Sequence, residues 1–141
     1  MKLLLLLLMA ATAHAAVPLS DDPDIIRVAD CIAAVESGRD DMKQGPCGEQ
    51  GRHQFTRTAW EEEFPSWFPP FELAQDGQKS TMVAEHRLHR MTVRLRAKKI
   101  EPTPYALACC WKLGFDGAVR AIRHGELCEP AERVANLYNS P

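Results

Sequence analysis

Proline and glycine mark several helix starts and stops along this chain, and that punctuation favours a mainly helical fold. Proline just inside a helix start and glycine just past its end suit what helix termini require. The first turn has N–H groups with no intrahelical partner, and the residue after the last turn takes a left-handed backbone. Asp22 followed by Pro23 is such a start, and Ile25, Val28, Ala29 and Ile32 recur at i, i+3, i+4 and i+7. This predicts an amphipathic helix over 23–37, stopped by Gly38. From 39 to 55, three glycines, Pro46 and many polar residues read as a loop or a small irregular β excursion. Thr56 then caps a short helix that must end before Pro65, and a longer helix is predicted from 79 to 99. Thr103-Pro104 opens the next, which stops at Gly114; two more run from 116 to 124 and from 129, with Pro130 in its first turn, to 139. No internal repeat and no strand-like alternation competes with this order, so the expected class is mainly α.

A chain of 141 residues, 45% hydrophobic and 26% charged, suits one globular domain and is too short for two ordinary ones. Seventeen Lys and Arg against 19 Asp and Glu give a net charge of −2, so no nucleic-acid partner is expected. The first residues read as targeting rather than fold. Lys2 is a positive start, Leu3 to Ala11 is apolar, and Ala13-His14-Ala15 has the small-x-small pattern of a signal peptidase site. A signal peptide over 1–15 is therefore expected, with the folded domain over 16–141. Losing Lys2 with it moves the formal charge from −2 to −3. The apolar run is well short of the roughly 20 residues a bilayer span needs, and no Cys stands at the new start to carry a lipid. The expected product is secreted or periplasmic, a monomer with no stable membrane insertion and no cofactor.

Export makes the five cysteines, Cys31, Cys47, Cys109, Cys110 and Cys128, candidates for disulfides. Five choices of odd residue times three pairings leave 15 patterns, among which sequence does not choose. Cys47 and Cys128 lie outside the predicted helix interiors, and both are expected to be oxidised. Adjacent Cys109 and Cys110 would face directions about 100° apart on a helix, which disfavours a bond between them.

One carboxylate is oddly placed. Glu36 follows Ile25 by eleven residues, which at about 100° each is three turns plus roughly 20°, so it continues the apolar stripe instead of pointing to water. Partial burial disfavours an anion, and the last helical turn carries the negative end of the helix dipole, so both favour a protonated acid. Such an acid is what attack on a glycosidic oxygen requires. A surface glutamate at a frayed helix end fits the same spacing.

Three segments sharpen the choice: Glu36-Ser37-Gly38, then Gly48-Glu-Gln-Gly51-Arg-His-Gln54-Phe55-Thr56 leading to Trp60, then Ala106-Leu-Ala-Cys-Cys-Trp-Lys-Leu-Gly114. In this order and spacing the chain resembles the lysozyme-like superfamily, specifically soluble lytic transglycosylases and goose-type lysozymes. The resemblance covers about Asp24 to Gly114, with Val134 to Tyr138 matching the closing helix. It implies a lysozyme-like helical domain that cleaves the β-1,4 bond between the amino sugars of peptidoglycan glycan strands. Glu36 matches the catalytic acid, Gln54 the cleft-wall glutamine, and Trp111 the aromatic preceding the family's Asn; Ser37 follows the acid and joins the expected substrate-binding set. At the Asn position stands Lys112, and Cys109 and Cys110 replace small alanines. A cation beside the acid favours its anion. Lys112 therefore either binds an acidic group of the glycan or its peptide stem, or pairs with Glu36 in an inactive, glycan-holding relative.

Asp40, Asp41 and Glu49 follow closely and are candidates for the second carboxylate that activates water in an inverting hydrolase, or are solvated loop charges. Because those candidates lie in a flexible-looking loop, the expected route is the transglycosylase one, in which the sugar's own 6-hydroxyl attacks and one carboxylate suffices. Phe64, Trp67, Phe68 and Phe71, set among prolines, suit either sugar stacking or folding back over the core. Arg87, Arg90, Arg94 and Lys98 make a basic stripe opposite Leu88, Met91 and Leu95, either a solvated face or a surface for anionic wall polymer or membrane. His86 and His89 are spaced to share a metal, but no third ligand stands nearby, so no metal is expected.

Overall fold

The computed structural model describes residues 22–63 and 70–141, and within them the chain forms five α-helices. The expected signal peptide, 1–15, and Phe64, Trp67 and Phe68 lie outside the described residues. Helix α1, Pro23–Ser37, has the predicted bounds. Asp22 Oδ1 accepts from Asp24 N (2.9 Å), and Gly38 leaves in the left-handed conformation, φ 68°. Ile25, Val28, Ala29 and Ile32 are all buried, so the stripe read from the sequence is the core face.

The stretch from Arg39 to Phe55 is a folded loop pinned by two isolated bridges, Gln44 to Gln50 and Gln50 to Phe55. Those bridges are the β excursion; no strand is built among the described residues. Helix α2, Arg57–Glu61, starts on Thr56, whose Oγ1 accepts from Ala59 N at 3.1 Å. A 3-10 turn, Phe71–Gln75, precedes helix α3, Gly77–Ala97. This helix begins two residues before the expected Lys79 because Asp76 is its cap. The Asp76 carboxylate accepts from Lys79 N (2.9 Å), which places Lys79 already within the first turn.

Helix α4, Pro104–His124, joins the two segments expected on either side of Gly114: the backbone breaks there (φ 70°, ψ 167°) and helix resumes at once. Ala106 to Cys110 are five consecutive buried residues, the signature of a helix surrounded on all sides. Helix α5, Glu129–Asn139, packs on α4 and α1, and α1, α3 and α4 pack on one another. Tyr138 of α5 donates to Asp24 at the start of α1, and Arg27 of α1 stacks over the Tyr138 ring (4.8 Å).

Three expectations need correction. All five cysteines are free thiols, so the fold described here carries no disulfide staple. Cys47 is exposed on the folded loop, whereas Cys128 is buried at the start of α5, so the shared position outside helix interiors that singled them out is no common environment. The basic stripe of α3 is not a solvated face at its near end. Arg87 is buried, with its guanidinium 2.8 Å from a carboxylate oxygen of Glu63, and Arg90 reaches the same oxygen at 2.6 Å. Arg94 lies over the Phe115 ring at 3.7 Å. Phe71, last of the proline-flanked aromatics, folds over the core, edge-on to buried Trp60. Among the described residues no helix is long and apolar enough to cross a membrane, and no group of three candidate ligands gathers for a metal.

Candidate functional site

Glu36 stands in the last turn of α1, its side chain 15% exposed, and the Lys112 ammonium of α4 faces both its carboxylate oxygens at 3.4 Å. The pair is asymmetric in exposure. Lys112, 46% exposed, reaches the acid from the solvent side, and so has room to withdraw.

The folded loop supplies the facing wall. Gln54 has a left-handed backbone, φ 50°, and its amide nitrogen donates to Lys43 O (3.1 Å) and Gly51 O (2.8 Å). Both amide hydrogens are thereby committed, which fixes where the side-chain oxygen points. Glu49 is held by Cys47 N, which donates to Oε2 at 2.9 Å, and by the backbone bond from Gly45 N to Glu49 O at 2.8 Å. A cleft of about 470 Å³ opens between these walls, lined by Glu36, Pro46, Glu49, Gln54, Thr56, Trp111 and Lys112. Glu36, Gln54, Trp111, Lys112 and Glu49, all singled out in the sequence, therefore share one cavity.

Three of the expected site residues do other work. Ser37 Oγ lies 2.7 Å from Arg52 O and accepts from Asp40 N at 3.0 Å, tying the end of α1 to the loop. Asp41 is clamped by the Arg52 guanidinium in two bonds of 2.5 and 2.9 Å, which holds its carboxyl below the usual carboxylate range. Asp40 turns back on its own chain, its Oδ1 accepting from Met42 N at 2.9 Å. Of the three candidate second carboxylates, only Glu49 lines the cleft.

His53 was not singled out by any sequence signal, yet it packs beside the cleft tryptophan. It is 1% exposed and sits 6.0 Å from the Trp111 ring and 6.2 Å from Phe55. Ala29 O, 3.2 Å from Nε2, only accepts, so Nε2 carries the proton and Nδ1 accepts from Ser80 Oγ at 2.9 Å. Burial brings its pKa down from 6.5 to about 4, so the ring is neutral under ordinary conditions. Phe55 packs edge-on to Trp111 at 5.0 Å, and Arg87 lies 5.7 Å from its centroid on a further side. The cleft tryptophan is thus held by the loop and by α3. No periodicity in the sequence announces either His53 or Glu63, because each is buried by partners far along the chain.

A second hollow of about 430 Å³, between the end of α4 and α5, is lined by Tyr105, Ile122, Leu127 and Glu132 among others and holds none of the expected residues. Comparison with protein-family models, with characterised proteins and with solved structures finds no match to this chain.

Proposed function

We propose that the cleft takes a peptidoglycan glycan strand and that Glu36 is the acid that cleaves its β-1,4 bond, in a secreted or periplasmic domain of lysozyme-like type. The observation that supports this reading is the meeting of Glu36, Gln54 and Trp111, drawn from three separate segments, in one cavity. Glu36 gives a proton to the glycosidic oxygen as the bond from the sugar C1 breaks. The same sugar's 6-hydroxyl attacks C1, and Glu36, now the base, takes the hydroxyl proton, leaving an anhydro sugar and a freed hydroxyl. The route needs one carboxylate, and it suits a site where Asp41 is committed to Arg52 and Asp40 to its own turn. Lys112 must leave Glu36 before the proton is given, and its exposed stem allows that.

The ion pair itself favours a second reading, a glycan-holding module in which Lys112 keeps the carboxylate occupied. Purified cell walls and mass spectrometry separate the two. The first reading expects soluble products with anhydro ends, each lighter by one water than a reducing end, and a loss of about 10²- to 10⁴-fold for Glu36→Gln. Wall binding without cleavage, with activity appearing on Lys112→Asn, selects the second. Reducing-end products together with a comparable loss on Glu49→Gln make the enzyme a hydrolase, and a chain that neither binds nor cleaves walls rejects both.

A further inference from the structure

The wall of the cleft built by the folded loop presents acceptors that are only partly used. Gln54 spends both amide hydrogens on Lys43 O and Gly51 O, so its Oε1 is the atom left over, and among the described residues nothing donates to it. Glu49 takes one bond, from Cys47 N, and no Lys, Arg or His nitrogen among the described residues lies within ion-pair reach of it. The two oxygens converge over Gly45. A Cβ at that position would stand 2.3 Å from Glu49 Oε2 and 2.8 Å from Gln54 Oε1, so the acceptors are within about 5 Å of each other, above a residue with no side chain. Across the cleft the one ammonium, Lys112, already faces Glu36, which leaves the carboxylate of Glu49 as the unbalanced charge.

We infer that Glu49 and Gln54, over Gly45, form a subsite for a protonated primary amine on a sugar ring, so that the cleft prefers N-deacetylated hexosamine units to N-acetylated ones. An ammonium has three donors and no acceptor, which complements a carboxylate beside an amide oxygen. An acetamido group offers a single N–H and brings a carbonyl oxygen that would meet the same two acceptors unfavourably. Trp111, lining the same cleft, supplies an apolar surface for the ring that carries the amine. Any side chain at Gly45 fills the space in which the two oxygens meet. The inference rests on the glycan reading above and names the sugar which that site selects.

The test is calorimetric titration of the intact chain with hexosamine tetramers, fully deacetylated and fully acetylated, at a pH below the amine's own titration and again above it. The deacetylated tetramer is expected to bind about tenfold more tightly at the lower pH and to lose that advantage at the higher. Glu49→Gln, nearly isosteric, is expected to abolish the preference, and Gly45→Ala to weaken it independently. Equal affinities, a preference for the acetylated tetramer, or a preference that survives Glu49→Gln overturns the subsite and leaves the glycan reading standing. If neither tetramer binds, the glycan reading falls and the subsite with it.

Discussion

His53 shows how a single side chain reports on the assembly around it. It is a loop residue, yet its two ring nitrogens bridge α1 and α3, and its face supports the cleft tryptophan. Its pKa of about 4 against 6.5 for a free imidazole means that unfolded chains take up a proton between those values while folded chains do not. Stability therefore is full above pH 6.5 and is lost progressively as pH falls towards 4, by on the order of 3 kcal/mol. Asp30 and Asp41, held below 3.8 by Arg39 and Arg52, add their own losses at lower pH, which leaves the upper window to His53. Urea unfolding at a series of pH values measures the slope, and His53→Leu is expected to flatten it between pH 6.5 and 4 while lowering stability at neutral pH. A wild-type curve that is already flat there would contradict the buried neutral imidazole.

At the scale of elements, caps and breaks matter more than intrinsic helix preference. Thr56, Asp76 and Thr103 each accept from a backbone N–H three residues on, and each opens a helix. Gly114 does the opposite inside α4, turning the backbone to φ 70°, ψ 167°, a region that only glycine enters readily. A Cβ there would meet nothing within 4 Å, so crowding plays no part and the cost of a substitution is conformational alone. Gly114→Ala is expected to lower unfolding stability by about 1–3 kcal/mol. Placing d-alanine at the same position by chemical synthesis should cost little, because the mirror-image backbone suits that residue. Denaturation of the two variants separates strain from packing: equal losses would mean that the added methyl, not the backbone, is at fault. The break also matters to the site, since Trp111 and Lys112 sit in the turn just before it.

Across the whole molecule, the buried charges tie the cleft to the helical core. The Glu63 side chain is 0% exposed and takes Arg87 at 2.8 Å, Arg90 at 2.6 Å and His86 Nδ1 at 3.3 Å. Arg87 in turn lies against Trp111, so the ion cluster is one shell behind the cleft wall. Removing one partner strands the other's charge away from water: Glu63→Leu is expected to cost about 3–5 kcal/mol in chemical denaturation, and Glu63→Leu with Arg87→Met to recover most of it. If the proposed glycan reading holds, the double variant, refolded but without the guanidinium behind Trp111, is expected to bind glycan more weakly than its stability alone would suggest. If the single and double changes cost the same, the cluster is not held by charge pairing.

Helix positions were legible in the sequence because they depend on neighbours three and four residues away. The Ile25 to Ile32 stripe, the Pro23 and Pro104 starts and the Gly38 stop carry their reasons locally, and α1 has the bounds they imply. Glu36 was legible for the same cause, since its place follows from helical phase. What surrounds it was not. Ser37, Asp40 and Asp41 lie close to Glu36 in sequence, yet the fold commits them to Arg52 O, to a local turn and to the Arg52 guanidinium. Lys112, 76 positions away, is the residue that touches the acid. Likewise nothing local marks His53 or Glu63 as buried, or Arg87 as part of a buried ion cluster rather than a solvated stripe. Local periodicity fixes which residues share a face of one helix; which charges meet depends on how separate helices pack, and that was decided only by the tertiary structure.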